Sequence, residues 1–391
     1  MASRAKLKVG IVGTGMVGSI HARSARLAGA ELAGVSAASA ASSRDAAERL
    51  GAARAYPHGR DLIEDPGIDV VHICTPNDLH FELASAAIAA GKHVVCEKPL
   101  AIGLEQAEAL RRLAADAGVI AAVPFVYRFY PMVREARARV AAGELGPVGL
   151  IGGAYLQDWL LPRESSNWRV DAARGGPSRA FADIGSHWCD LVEFVSGQRI
   201  EALSAQMRTL REERPAPDRA PTFAHSDPAA GDEWRPVENE DVAVLSFRTG
   251  EDAAGAVLVS QVSAGHKNGL TFELTGSSGT VRFDQQAPDA LLVGSEESLT
   301  IVERDRERLA PGAQRYATLP AGHPQGYHDC FDAFVADTYD SIAAGAPVEG
   351  LPTFADGVRA VALTTAALRS AGAGADWVDV DTFAEKEAKL S

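Results

Sequence analysis

Three polar side chains in this chain of 391 residues have the types and positions needed for acid–base chemistry. Lys98 follows the apolar run 93–96, so we expect its ammonium group at the end of a buried strand. Asp183 and His187 are four residues apart and Asp190 follows after three more, which places all three on one helix face. A carboxylate one turn from an imidazole orients the ring and stabilises its charged form. The spacing therefore predicts that His187 transfers a proton with the help of Asp183.

Other interpretations of this helix remain open. Asp183 can cap the helix N-terminus, and His187 can be a core histidine whose nitrogens are satisfied by hydrogen bonds. A metal site is possible in principle, but no further His or Cys has ligand spacing, and we predict no metal. The cysteines lack CxxC spacing and are predicted to be buried free thiols in a reducing compartment. They are Cys74, Cys96, Cys189 and Cys330.

A glycine turn near the start of the chain is the first element expected to position a ligand. The apolar run 7–12 predicts a strand, residues 13–18 follow the pattern GxGxxG, and a helical pattern begins directly behind them. The first glycine permits a tight turn, the second lets the backbone approach a pyrophosphate, and the third lets helix and strand pack closely. The pattern predicts a dinucleotide bound at the helix N-terminus. Its predicted contacts are Gly13, Thr14, Gly15, Met16, Val17 and Gly18.

The second predicted strand, residues 31–35, bears on which dinucleotide binds. A site specific for NAD usually has Asp or Glu at this strand end, about 20 residues beyond the glycines, to hold the ribose 2′-hydroxyl. This chain has serines and an arginine there instead, so nothing would repel a 2′-phosphate, and both NAD and NADP remain open. The predicted contacts are Ser36, Ser39, Ser43 and Arg44, although Arg44 can equally face solvent.

Strands and helices alternate up to residue 123, which predicts a parallel sheet covered by helices on both faces. Ligands of such sheets lie at the carboxyl ends of the strands. Thr75, Asn77 and Lys98 fall at such ends and are predicted to contact the cofactor. His80, at the start of the next helix, either joins them or lies on the helix surface. We therefore predict a doubly wound α/β Rossmann domain over residues 1–127.

An aromatic stretch that ends in Pro131 marks the predicted start of a second domain, residues 128–391. The strand 148–156 is followed by a loop rich in tryptophan and charge, which is typical of a site. Trp168, with polar neighbours such as Arg169, can stack on a sugar or a nicotinamide face, so both residues are candidate contacts. The alternative is a structural tryptophan beside an Arg169–Asp171 ion pair.

The remainder of the second domain predicts an α+β arrangement. Residues 209–238 are poor in apolar side chains and predict an exposed excursion. Runs 242–248, 254–262, 270–276 and 279–284 predict antiparallel strands, and runs 327–344 and 354–371 predict helices. An open, mostly antiparallel sheet has one bare face, which we expect to mediate contact between copies of the chain.

Composition excludes some classes of partner. The formal charge of −14 argues against nucleic acid, because phosphate binding needs a basic surface. No apolar run approaches the roughly 20 residues that span a bilayer, so no membrane partner is expected. The first residues lack the apolar segment of a secretion signal, which favours a cytoplasmic location.

These motifs together resemble the Gfo/Idh/MocA oxidoreductases, the family of glucose-fructose oxidoreductase and inositol dehydrogenase. The resemblance covers nearly the whole chain outside the excursion. It rests on the glycine turn, Thr-Pro-Asn at 75–77, Glu-Lys-Pro at 97–99, Tyr-Arg at 127–128 and Asp-x-Gly-x-His at 183–187. It implies a Rossmann domain, a second domain built on a large open sheet, and a homodimer or homotetramer formed through that sheet.

The resemblance also implies hydride transfer between a nicotinamide and a carbon of a sugar or polyol. Lys98 matches the residue that binds and polarises the reacting oxygen, His187 the acid–base histidine, and Asp183 its substrate-holding partner. Glu97 and Arg128 match residues that line the nicotinamide. The pair Trp168–Arg169 resembles a cofactor-contacting pair of some members, and the Lys98–Pro99 bond is often cis in the family.

Two further functions share these residues. A glycoside hydrolase with resident NAD would oxidise a sugar hydroxyl, eliminate the aglycone, add water and return the hydride. A non-catalytic regulator would only bind the cofactor. The aromatic loop and the excursion fit a substrate larger than a free monosaccharide. Predicted substrate contacts, besides Lys98, Asp183 and His187, are Tyr155, Gln157, Asp158 and Tyr327.

Overall fold

The computed structural model describes residues 6–216 and 233–380, which divide into two units. Unit 1 comprises residues 1–126 and 328–358, and unit 2 comprises residues 127–327 and 359–391. The predicted domain boundary at 127–128 lies next to residues 126–127, where the chain first passes from unit 1 to unit 2. The return of 328–358 to unit 1 was not predicted, because the apolar pattern of a helix does not say which sheet the helix covers.

The described part of unit 1 contains one six-stranded sheet in the order β3-β2-β1-β4-β5-β6, with every pair parallel. Its buried strands are mostly apolar because helices cover both faces. The strands are β1 Lys8–Val12, β2 Glu31–Ser36, β3 Ala55–Tyr56, β4 Val70–Ile73, β5 His93–Cys96 and β6 Ala121–Ala122. The helices are α1 Met16–Leu27, α2 Ala40–Leu50, α3 Gly59–Glu64, α4 His80–Ala89 and α5 Leu104–Ala117. The predicted doubly wound sheet is confirmed, and this strand order is that of the Rossmann fold.

Unit 2 is built on a large mixed sheet. Among the described residues its order is β16-β15-β14-β13-β7-β12-β11-β8-β17. The strands are β7 Val148–Leu156, β8 Ile200–Arg208, β9 Glu213–Pro215, β10 Trp234–Pro236, β11 Val242–Thr249, β12 Ala254–Ser260, β13 Gly269–Gly276, β14 Thr280–Asp284, β15 Ala290–Gly294, β16 Leu299–Glu303 and β17 Val378–Asp379. The remaining helices of the chain are α6 Pro131–Ala141, α7 Ala172–Gly175, α8 Ser186–Ser196, α9 Pro311–Gln314, α10 Tyr327–Ala344 and α11 Phe354–Gly372.

The sheet is mostly antiparallel, as predicted, with one exception. β12 runs parallel to β7, whereas we expected four antiparallel strands from residue 242 onward. Strand direction depends on which strands become neighbours, and β7 lies about a hundred residues earlier in the sequence, so local patterns do not reveal the pairing. β15 and β16 were not predicted.

Residues 217–232, the middle of the predicted excursion, lie outside the described residues. The two ends that are described form an antiparallel ribbon of β9 and β10. The prediction of an exposed segment is wrong at Arg214, whose side chain is 1% exposed. Low apolar content hid this burial, because an arginine can be buried where backbone carbonyls accept its hydrogen bonds.

No helix within residues 6–216 and 233–380 is long and apolar enough to cross a membrane. The same residues contain no group of three or more His, Cys, Asp or Glu side chains arranged to hold a metal ion.

Candidate active site

The glycine turn of unit 1 leaves an open space at the start of α1. Gly13 has φ +94°, and a Cβ there would lie 2.4 Å from the Cys74 carbonyl oxygen. A Cβ on Gly18 would lie 2.0 Å from the Gly13 carbonyl oxygen, so the protein's own packing requires both glycines. A Cβ on Gly15 would meet nothing within 4 Å. Gly15 therefore faces the space that a pyrophosphate needs, beside backbone N–H groups that no side chain of the described residues caps.

Two buried hydroxyl groups at strand ends also fit a ligand. Ser36 ends β2 and Thr75 follows β4, the two neighbours of β1 in the sheet. Their hydroxyl oxygens are buried and have no hydrogen-bond partner among the described residues. A buried polar group left unpaired costs roughly 1–3 kcal/mol, so bonds to a dinucleotide would stabilise both sites. The residues of this edge therefore fit the predicted cofactor.

The serines beyond β2 shape the turn into α2. Ser39 caps the helix and accepts a hydrogen bond from the Ser42 N–H at 3.2 Å. The Ser43 hydroxyl accepts one from the Ala37 N–H at 2.8 Å. Arg44 is exposed on α2.

Lys98 lies just beyond the end of β5, as its position in the sequence predicts. The backbone N–H of Glu97 donates to the Ile73 carbonyl oxygen of β4 at 2.9 Å, which ties this segment to the centre of the sheet. The Lys98–Pro99 peptide bond is cis, as the family resemblance implied.

A buried chain of hydrogen bonds holds Glu97. Its Oε1 lies 3.0 Å from His21 Nε2, His21 Nδ1 lies 2.8 Å from His72 Nδ1, and His72 Nε2 lies 3.0 Å from the Tyr339 hydroxyl. In the arrangement with two neutral imidazoles, Tyr339 donates to His72, His72 to His21, and His21 to Glu97. Sequence analysis did not predict this series of hydrogen bonds. The signal was a histidine, His72, in the otherwise apolar strand β4.

The buried His72 in this series of hydrogen bonds predicts that the folded protein becomes less stable in acid. Burial lowers the pKa of His72 well below its usual range, and the nearby His21 adds to the effect. The unfolded chain binds a proton at His72 below about pH 6.5 whereas the folded chain does not. The free energy of unfolding should therefore fall with decreasing pH in that range, by up to about 1.4 kcal/mol per pH unit for this proton.

Urea unfolding at several pH values checks this expectation. His72→Val should lower stability at neutral pH, because it strands buried groups of His21 and Tyr339, and should flatten the decline in acid. The exposed His266→Gln serves as control and should follow the wild-type curve. Parallel curves for His72→Val and wild type would contradict the role of His72.

The structure contradicts one of the two interpretations of His80. The side chain is fully buried, so it does not lie on the helix surface. Nδ1 lies 2.8 Å from the Pro99 carbonyl oxygen and Nε2 lies 3.0 Å from that of Thr75. His80 thus joins the loops that follow β4 and β5, and its contact with the cofactor stays a prediction.

The segment with Asp183 and His187 is not one regular α-helix. Phe181–Gly185 forms a π-helical turn and α8 begins at Ser186, so the predicted spacing on one α-helical face does not hold at Asp183. The wider turn is a feature often found at functional sites. Oδ2 of Asp183 accepts a hydrogen bond from Gln261 Nε2 at 2.8 Å, and Oδ1 lies 3.4 Å from Arg169 Nε.

Arg169 forms an ion pair that sequence analysis did not consider. Arg169 pairs with Asp183, whereas Asp171 accepts a hydrogen bond from the Ala173 N–H and caps α7. The Arg169 guanidinium also lies over the Trp168 ring, 4.4 Å from its centroid. Gln261 was not predicted, because a lone glutamine after a strand carries no recognisable pattern.

Several predicted substrate contacts come together in unit 2. The centroid of the Tyr127 ring lies 5.0 Å from that of the His187 ring, and these two rings meet edge-on. It lies 6.1 Å from the centroid of the Tyr327 ring, which is tilted against it. The Tyr127 hydroxyl lies 2.5 Å from that of Tyr155. Tyr155 and Gln157 both donate to Asn268 Oδ1 at 2.8 Å. Asn268, which sequence analysis missed, therefore organises this hydroxyl and amide cluster beside the imidazole.

Two other predicted residues have charged partners within unit 2. Asp158 pairs with the exposed Lys267 at 2.8 Å. Arg128, predicted to line the nicotinamide, binds Asp190 with two nitrogens, one of them at 2.8 Å. Asp190 was expected beside Asp183 and His187 on one helix face. The structure shows it in a buried ion pair with Arg128.

Comparisons with known proteins agree with this description. Residues 7–125 match a family model described as an oxidoreductase family with an NAD-binding Rossmann fold. Residues 133–282 match a model described as the GFO/IDH/MocA C-terminal domain. The prediction of a nicotinamide dinucleotide as cofactor is confirmed.

Similar proteins cover most of the chain. A levoglucosan dehydrogenase from Pseudarthrobacter phenanthrenivorans is 33% identical over 351 residues, which are 85% of this chain and 85% of that protein. The crystal structure of an oxidoreductase domain protein from Kribbella flavida has 32% identity and a TM-score of 0.87, over 97% of this chain and 100% of that chain. A structure of levoglucosan dehydrogenase in complex with NADH and levoglucosan has 29% identity and a TM-score of 0.86, over 96% of this chain and 99% of that chain. The two family models and the extent of the first similarity show that this chain belongs to the Gfo/Idh/MocA family of oxidoreductases.

Proposed function

We propose that the protein is an NAD(P)-dependent dehydrogenase that transfers a hydride between the nicotinamide and a hydroxyl-bearing carbon of a sugar, glycoside or polyol. The observation that carries this proposal is the cluster of Tyr155, Gln157 and Asn268 beside Tyr127 and His187. Hydroxyl and amide groups next to an imidazole suit a substrate with several hydroxyl groups, one of which loses its proton. The similarity to a levoglucosan dehydrogenase supports the same substrate class.

Gly15, Ser36 and Thr75 would hold the dinucleotide at the edge of the sheet in unit 1, and its nicotinamide would supply the acceptor for the hydride that leaves the carbon. His187 accepts the proton of the hydroxyl group, so that the carbon–oxygen bond becomes a carbonyl. Asp183 supplies negative charge one turn before the imidazole and stabilises its protonated form. The Lys98 ammonium stabilises the negative charge that develops on the oxygen during the transfer.

The test is an activity screen of the purified full chain. NAD or NADP is supplied with levoglucosan, free sugars, polyols and aryl glycosides, and both reduced nicotinamide and released aglycone are followed. Reduced nicotinamide should accumulate with one substrate class, and the same experiment reports the cofactor preference. Aglycone release that requires NAD without net reduction would establish the hydrolase instead. Binding of cofactor without turnover of any substrate would favour the regulator.

We also propose that the chain forms homodimers or homotetramers through the sheet of unit 2. Leu150, Val244 and Leu258 lie on β7, β11 and β12 with half or nearly half of their surface exposed. Leu258 is directly opposite Val244 in the sheet register, so the side chains of these two residues are adjacent. Light scattering should report a multiple of the chain mass, and Leu258→Lys should shift the mass towards the monomer. A monomeric wild type would contradict this proposal.

A further inference from the structure

The loop between β7 and α7, residues 157–171, carries four side chains predicted to bind ligands. They are Gln157, Asp158, Trp168 and Arg169. Much of the loop is irregular, so its carbonyl groups need hydrogen-bond partners from other parts of unit 2. The groups that supply those partners therefore help to fix the path of the loop.

Arg214, on the ribbon strand β9, satisfies three of these carbonyls. Nη1 donates to the carbonyl oxygen of Ser165 at 2.7 Å and to that of Pro162 at 3.0 Å, and Nη2 donates to that of Leu160 at 2.7 Å. Asp241 lies 3.3 Å from Nη2 and also pairs with Arg179, so one buried carboxylate faces two guanidinium groups. Burial lowers the pKa of Arg214 to about 10, so the side chain remains protonated at neutral pH.

Neighbours of Arg214 along the same stretch hold the loop as well. Arg211 donates to the Leu161 carbonyl oxygen through two nitrogens at 3.2 and 3.3 Å. Asn239 Nδ2 donates to the Arg169 carbonyl oxygen at 2.9 Å. Val237 packs in a small apolar cluster against which Trp159 lies. Both described ends of the excursion are thus attached to one loop.

We infer that Arg214 is a specificity-determining positioning residue, which sets the affinity for the sugar by fixing the shape of the loop 157–171. The inference rests on the proposed function, because it assumes that this loop binds the substrate. Arg214 does not touch the reacting atoms. A small displacement of a positioned group is enough to weaken substrate binding or turnover by one or two orders of magnitude.

Arg214→Lys tests the inference, because a single ammonium nitrogen cannot occupy both positions from which Nη1 and Nη2 of the planar guanidinium bond the three carbonyls. Arg235→Lys is the matched control, since Arg235 lies directly across the ribbon from Arg214 and is exposed. Each full-length variant is assayed for KM and kcat with levoglucosan and with myo-inositol, for cofactor KM, and for hydrogen exchange of the loop amides. Arg211→Ala, a change at a half-buried side chain, tests the same loop if Arg214→Lys does not fold.

For Arg214→Lys we expect faster exchange confined to the loop, a sugar KM raised about tenfold, and an altered ratio of kcat/KM between the two sugars. The cofactor KM should rise less than the sugar KM, because only Trp168 and Arg169 of this loop are predicted cofactor contacts. Arg235→Lys should match the wild type. Faster exchange in the loop with wild-type sugar KM would overturn the inference while leaving the proposed function intact. A wild-type chain that turns over none of the screened sugars would instead overturn the proposed function.

Discussion

Replacing Lys98 by alanine is expected to lower kcat by about 10²–10³-fold, the loss typical when a group that stabilises developing negative charge is removed. The physical reason is that the oxygen of the substrate acquires negative charge as the hydride leaves, and the ammonium group is the proposed source of compensating charge. Initial rates with saturating cofactor, together with a fluorescence titration of NADH, measure the effect. The cofactor affinity should change little.

Lys98→Met provides the matched variant for this prediction. The methionine side chain keeps most of the length and packing of the lysine and lacks the charge, so it should be as inactive as the alanine variant. Lys8→Met is the surface control, because Lys8 is exposed at the start of β1, away from the carboxyl ends of the strands. A Lys98→Ala enzyme with wild-type turnover would remove Lys98 from the proposed mechanism.

The second large effect is expected at His187. His187→Ala should reduce kcat for alcohol oxidation by about 10²–10⁴-fold, because general base catalysis contributes a factor of this order. The rate of the wild type should rise with pH while the base loses its proton, and the variant should lack this rise. Comparing kcat over a range of pH distinguishes the loss of a base from a loss of structure, which would lower activity equally at every pH.

His187→Gln separates packing from chemistry, since glutamine can fill part of the space beside the Tyr127 ring and is no base. It should resemble the alanine variant in rate and the wild type in stability. If His187 and Lys98 act in the same step, the double variant should lose less activity than the two single losses multiplied together. A His187→Gln enzyme with wild-type turnover and pH dependence would show that another group takes the proton.

The sequence was most informative where local packing dictates the residue type. Gly13 and Gly18 cannot carry a Cβ without colliding with the backbone, so their spacing alone predicts the turn and the helix behind it. Lys98 was similarly placed, because an apolar strand of a parallel sheet ends directly before it. In these cases the determining contacts lie within a few residues or in the adjacent strand.

Sequence reasoning failed where the determining partner is distant. The pairing of β12 with β7, the partners of Arg128 and the burial of Arg214 all depend on residues tens to about a hundred positions away. The π-helical turn at Asp183 is a local deviation of one residue per turn, which leaves no mark in an apolar pattern. The sequence therefore indicated which charged and polar residues could matter, but it did not indicate the residues with which they pair.

The return of residues 328–358 to unit 1 has a consequence for biosynthesis. Domains often begin to fold as they leave the ribosome, N-terminal part first. When residues 1–126 have emerged, however, Tyr339 has not been made, and His72 lacks the hydroxyl that later bonds its Nε2. Asp332, which receives hydrogen bonds from Arg23 and Ser24 of α1, is missing at the same stage. The dinucleotide-binding unit can therefore complete its core only after residues 127–327 have been translated, and a fragment that ends at residue 126 would lack part of that core.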